Sequence, residues 1–132
     1  MADVNRGNRP LSPFMIGPYY RPQLTSISSI MVRITGIACL VGAVLLTAWF
    51  LAAATSETAF ARVDWLVQSI LGDLILLGMA WAIFYHMLGR LRHVIWDFGY
   101  GLDVKTSEKM AIGMFALATV FTLVLAIARI AS

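Results

Sequence analysis

Hydrophobic and polar positions alternate along this chain in blocks of twenty or so residues, not at the spacing of a strand or an amphipathic helix. No residue from Ile34 to Ser56 is charged. From Leu66 to Leu88 the only charge is Asp73 and the only histidine is His86, and from Met110 to Ala128 charge is again absent. A helix needs about 20 apolar residues to cross a bilayer's hydrocarbon core. The pattern therefore predicts an all-α membrane protein with three transmembrane helices, over about residues 28–55, 65–97 and 106–131. The preceding segment, residues 1–27, holds Pro10, Pro13, Pro18 and Pro22. Each proline biases its predecessor away from helix, so an extended or turn-rich stretch is expected. Its polar start, with the first apolar run so far in, argues against a secretory signal peptide.

Local signals refine the boundaries. A hydroxyl between Thr25 and Ser29 is expected to cap the first span, and Thr106 or Ser107 the third, with Glu108 in its first turn. Gly99-Tyr100-Gly101 is expected to stop the second span. Ala38-x-x-x-Gly42 is a small-x-x-x-small pair that permits close helix contact. Trp65 and Trp96 bracket the second span, as interfacial aromatics do.

Composition then narrows the class. The 132 residues are 60% hydrophobic and 13% charged, with a mean hydropathy of +0.81. A soluble domain carries about 25% charged residues, so an ordinary cytosolic globule is excluded. The single cysteine, Cys39, excludes an internal disulfide framework and a self-contained thiolate cluster. Arg6, Arg9, Arg21 and Arg33 precede the first apolar run, and Arg90, Arg92, Lys105 and Lys109 lie around the second loop. Eight of the ten basic residues thus fall on one side of the spans. The positive-inside rule places that side, and the N-terminus, inside. The net charge of +3 flanks membrane spans, so lipid headgroups, and no nucleic acid, are the expected partners. No phosphate loop, HExxH, nucleophile elbow or paired-carboxylate motif is present, so bond-breaking chemistry by this chain alone is not expected. Three helices leave most of their faces to lipid or another chain, which makes the protein a subunit.

Few polar residues then remain to be explained. His86 lies about one turn before Arg90, just below the inner surface. It is either a histidine bonded to a neighbouring helix or an axial ligand of haem. His93, seven residues on, shares its face about 10 Å further along. Two imidazoles so far apart cannot ligate one iron, so a bis-histidine haem on His86 takes its other ligand from another chain. His93 would face a haem propionate or simply the interface. Ser29 and Arg33 share a face at the inner end of the first span. They are either a helix start and a snorkelling cation, or a donor pair for a quinone carbonyl or a carboxylate. Arg92, His93, Trp96 and Asp97 read as a solvated polar helix end, where Asp97 could also pass protons to a buried acceptor. Asp73 has no preferred role. It is the coupling acid on the alternative reading of a transporter subunit, while a haem-free structural partner is a further alternative.

The runs Arg9-Pro10-Leu11-Ser12-Pro13, Tyr20-Arg21-Pro22-Gln23-Leu24-Thr25-Ser26 and Ser29-Ile30-Met31-Val32-Arg33-Ile34-Thr35-Gly36 resemble the N-terminal part of the cytochrome b membrane-anchor subunits of succinate dehydrogenase, respiratory complex II. His86-Met87-Leu88-Gly89-Arg90-Leu91-Arg92-His93-Val94-Ile95-Trp96-Asp97 resembles that family's second signature. The resemblance implies a three-helix anchor in a bacterial inner or mitochondrial inner membrane. Such an anchor packs with a second small anchor subunit and carries the iron–sulfur and flavoprotein subunits on the inside. It implies haem b shared with the second anchor and ligated by His86, and ubiquinone as substrate at Ser29 and Arg33. It further implies His93 and Arg33 near the haem propionates and Asp97 in proton supply. A fumarate reductase anchor is the close variant. Three positions depart from the family pattern: Val32 and Phe14 stand where histidines are usual, and Arg90 where glycine is.

Overall fold

The computed structural model describes residues 12–17 and 19–131. The runs and charges assigned above to residues 1–11, and Pro18, lie outside it. Residues 12–17 and 19–23 are turn-rich or extended, with a 3-10 turn at Pro13–Met15 capped by the Ser12 hydroxyl. Four α-helices follow: α1 (Leu24–Thr55), α2 (Glu57–Val67), α3 (Ile70–Asp97) and α4 (Val104–Ala131). Three of them, α1, α3 and α4, are long and apolar enough to cross a membrane. They run alternately up and down, so the start of α1, the end of α3 and the start of α4 share one end of the bundle, here the basic end. α3 is the central element, packed against both α1 and α4.

Small residues let the helices meet. Val32, Tyr85, Met114 and Ala118 form the buried cluster, flanked by Trp81, Phe84 and Phe115. The Tyr85 ring stacks on Trp81 at 5.0 Å and meets Phe115 at 4.7 Å. Trp81 Nε1 donates to the Thr119 hydroxyl of α4 at 3.2 Å. Gly89 lies so close to α1 that a Cβ there would collide with Val32. A Cβ on Gly42 would collide with the flexible thioether end of Met79, so this glycine does mark a close contact. Only 6% of the most apolar window of α1 is buried, against 17% in α3 and α4. The first helix thus has the most surface left for lipid or a partner.

Several boundaries differ from expectation, each for a local reason. The second span begins at Ile70, not residue 65. The Ser69 hydroxyl accepts from Gly72 N at 3.1 Å and starts a new helix there. Residues 57–67 form the separate α2, capped by the Ser56 hydroxyl. Trp65 belongs to α2 and is 75% exposed. α1 starts at Leu24 after Gln23, with no side-chain cap. The cap of α4 is Asp103, whose carboxylate accepts from Thr106 N at 2.9 Å. Thr106 is thus the residue capped, Ser107 turns inward, and Glu108 falls beyond the first turn. The glycine stop is as expected: after Asp97 the chain turns through Gly99 at φ +81°, where its N–H donates to Trp96 O at 2.8 Å.

Two outcomes follow. Gly89→Ala pushes a methyl into the stiff Val32 side chain and should destabilise by about 1–3 kcal/mol, whereas Gly42→Ala meets a methionine that can swing aside and gains helix propensity. A thermal melt of the purified assembly should therefore fall for Gly89→Ala and hold for Gly42→Ala. The Thr106 amide holds the Asp103 carboxyl below its ordinary range, so the cap is intact at neutral pH and is lost as pH falls through that lowered value. The protection of the first-turn amides of α4, measured as exchange relative to the unprotected rate at the same pH, should fall on acidification, and Asp103→Ala should abolish that dependence.

Candidate functional site

Two neighbouring stripes run along α1 at the basic end. Ser28, Val32 and Thr35 are buried, with 0, 7 and 2% exposure. About a quarter-turn around lie Ser29, Arg33 and Gly36, at i, i+4 and i+7. Ser29 and Gly36 are half-buried and Arg33 is exposed. α3 repeats the arrangement. Tyr85 and Arg92, seven residues apart, are buried at 0 and 4%. Beside them His86 and His93 are half-buried, and Asp97, exposed, ends the same stripe.

The two half-buried stripes meet at His86. Its imidazole lies against Gly36, where a Cβ would stand 2.9 Å from the ring's Cε1. Nδ1 is 3.0 Å from the Val32 carbonyl oxygen. A carbonyl can only accept, so Nδ1 carries the proton and donates, and Nε2 is the lone-pair nitrogen. Nε2 has no hydrogen-bond partner among the described residues. The Val32 carbonyl also accepts from the Thr35 hydroxyl at 3.1 Å, and that hydroxyl reaches Met31 O at 2.8 Å. Ring orientation and tautomer are therefore set by α1, and the free nitrogen is the kind that binds iron.

The other candidates fall around this point. Ser29 and Arg33 make no side-chain hydrogen bond to the described residues, so their donors are available. His93 packs edge-on to Trp96 at 5.2 Å. Asp97 is the last residue of α3, where a carboxylate opposes the helix dipole, so helix stability does not explain it. Arg90 is exposed. Asp73 stands in the first turn of α3, not mid-span, with its carboxylate 3.8 Å from Arg129 Nε. Both side chains are about half exposed, and such pairs contribute little. The transporter reading loses its intramembrane acid.

Arg92 is the main correction. It was expected to belong to a solvated helix end, but its guanidinium is enclosed among α1, α3 and α4. Nη1 donates to Ser28 Oγ at 2.6 Å and Nη2 to Ser107 Oγ at 2.8 Å. The guanidinium carbon lies 4.2 Å from the Trp96 ring centroid. Nε is buried without a partner, and among the described residues no carboxylate pairs with the charge. Sequence reasoning missed Ser28, Tyr85 and Ser107 as polar partners, and Gly36 as the seat of the imidazole. The one signal at hand was Gly36, seven residues from Ser29 and three from Arg33.

Two shallow surface hollows lie away from Ser29, Arg33 and His86. One, of about 580 Å³, lies along α2 at Arg62 and Trp65; the other, of about 330 Å³, lies at the basic end by Gln23 and Trp96. The candidate stripe is a half-exposed face of the bundle.

The chain matches the family model described as succinate dehydrogenase/fumarate reductase transmembrane subunit over residues 5–125. It is 53% identical over 116 residues to the succinate dehydrogenase cytochrome b556 subunit of Paracoccus denitrificans, covering 88% of each chain. It is 34% identical over 97 residues to the protein of the same name from Rickettsia conorii, covering 74% of this chain and 73% of that one. It is 33% identical over 122 residues to the succinate dehydrogenase cytochrome b560 subunit of Reclinomonas americana, covering 89 and 83%.

Proposed function

The chain belongs to the succinate dehydrogenase/fumarate reductase transmembrane subunit family, and from that premise we propose that it holds half of a haem b site and part of the ubiquinone-reduction site. The relatives named above are cytochrome b subunits of succinate dehydrogenase, which favours succinate oxidation over fumarate reduction as the working direction. The observation that carries the reading is the seating of His86: an imidazole fixed through Nδ1 on the Val32 carbonyl, cradled by Gly36, with Nε2 free. A haem fits this donor. When bound, it supplies an iron centre that accepts and releases single electrons.

On this reading His86 would hold the haem iron through Nε2, and a residue of a second small anchor subunit, packed on the exposed side of α1 and α3, would hold it with His86. Arg33 and His93, on the same stripes and nearer the basic end, face the propionates. Ser29 and Arg33 donate hydrogen bonds to a quinone carbonyl oxygen, the guanidinium giving the stronger, charge-assisted bond. Reduction of that carbonyl takes up protons as well as electrons. Asp97, exposed at the helix end, accepts them from water and passes them toward the quinone. The basic end faces inside, beneath the iron–sulfur and flavoprotein subunits that deliver electrons from succinate. The membrane is a bacterial cytoplasmic or mitochondrial inner membrane.

Two measurements test this. The purified membrane complex should show a b-type signal in a reduced-minus-oxidised visible spectrum. That signal should vanish in His86→Ala and weaken in Gly36→Val, which drives a side chain into the ring; a complex without haem in the parent protein would overturn the cofactor assignment. Ser29→Ala and Arg33→Ala should raise the KM for ubiquinone by about tenfold, the equivalent of a lost hydrogen bond of about 1.4 kcal/mol. Succinate oxidation with an artificial acceptor should stay at the parent rate. Normal quinone kinetics in both variants would leave these residues interfacial only.

A further inference from the structure

Arg92 is a buried charge that the proposed chemistry leaves unused. A guanidinium enclosed at 4% exposure costs several kcal/mol in desolvation, and a well-packed apolar side chain of similar volume is often at least as stabilising. What the guanidinium provides that an apolar side chain cannot is direction. Its two Nη atoms fan out from α3 to hydroxyls on two other helices, Ser28 of α1 and Ser107 of α4, while Trp96 closes one face.

The α1 arm ends one residue from the candidate quinone donors. Ser28 is held at three points. Its Oγ accepts from Arg92, its hydroxyl donates to Thr25 O at 3.0 Å, and its carbonyl accepts from the Tyr85 hydroxyl at 3.3 Å. Such fixing matters because the first turn of α1 has no side-chain cap of its own. A helix end without a cap frays, since its first amides lack partners. Ser29 follows directly, and Arg33 stands one turn further on the same stripe.

We infer that Arg92 is a positioning residue: through Ser28 it locks the first turn of α1 and thereby sets where the Ser29 hydroxyl and the Arg33 guanidinium sit. The inference rests on the quinone reading of those two residues. The Ser107 arm fastens α4 and does not reach the donors, so the two arms have separable effects.

The test uses the assembled complex, with Ser28→Ala, Ser107→Ala, Arg92→Lys and Ser29→Ala compared with the parent. Ser28→Ala removes the hydroxyl that accepts from Arg92 and donates to Thr25 O, and should raise the KM for a short-chain ubiquinone by about 3- to 10-fold, with turnover on an artificial acceptor unchanged. Ser107→Ala should lower the thermal midpoint and leave the quinone KM at the parent value. Arg92→Lys keeps the charge but loses the planar fork, and should raise the KM as Ser28→Ala does. Equal KM increases in the two serine variants would mean general loosening and would overturn the inference, as would no increase in either. Where the arginine variant does not assemble, the serine pair decides. If Ser29→Ala raises the KM and Ser28→Ala does not, positioning alone has failed. If Ser29→Ala itself is silent, the quinone reading has failed and this inference falls with it.

Discussion

A polar group enclosed between helices must find its partners in the protein, and this condition organises the basic end of the bundle. Arg92 supplies the most demanding case. Its two Nη atoms are enclosed, and α1 and α4 each bring a small hydroxyl to the point where α3 presents them, while Nε stays unpartnered. Tyr85 and Trp81 obey the same condition, one giving its hydroxyl to the Ser28 carbonyl and the other its indole N–H to Thr119. Helix spacing, the small residues that allow it and the register of the buried stripes all follow from satisfying these few groups at once.

The candidate stripes lie a quarter-turn from the buried ones, and that offset leaves them open. Ser28, Val32 and Thr35 are fixed in the interior, so their neighbours Ser29, Arg33 and Gly36 are held by the same backbone while staying open. The same holds for Tyr85 and Arg92 beside His86 and His93. The Val32 carbonyl joins the two systems, since it belongs to the buried stripe of α1 and accepts a hydrogen bond from His86 Nδ1. Buried interior and candidate face are thus neighbouring residues of the same two helices.

Much of this was legible beforehand. The three long apolar blocks, two without charge and one holding only Asp73, set the spans, and the His86–His93 interval set the stripe of α3, because helical periodicity depends only on spacing. The glycine stop after Asp97 was legible for a similar reason, since a positive φ calls for glycine. Burial of Arg92 was not legible. Near a membrane surface the same residue type reads as solvated, and only the convergence of Ser28 and Ser107, 64 and 15 residues away in sequence, reverses that. The break before Ile70 was hidden as well. Val67 and Ile70 continue an apolar pattern, and the Ser69 cap that ends it is one residue among many serines. The seat of the imidazole on Gly36 depends on how two helices cross, which one-dimensional spacing does not carry.

The sparse burial of α1 has a consequence for how such a protein exists in a cell. With so little of that helix covered by its own chain, and with the candidate face half exposed, the folded form described here is not independent of what lies against it. Its apparent stability rises with the abundance of whatever binds that face, by mass action in the plane of the membrane. The level of this subunit is therefore expected to follow that of its neighbours, with unpaired copies cleared and paired copies retained.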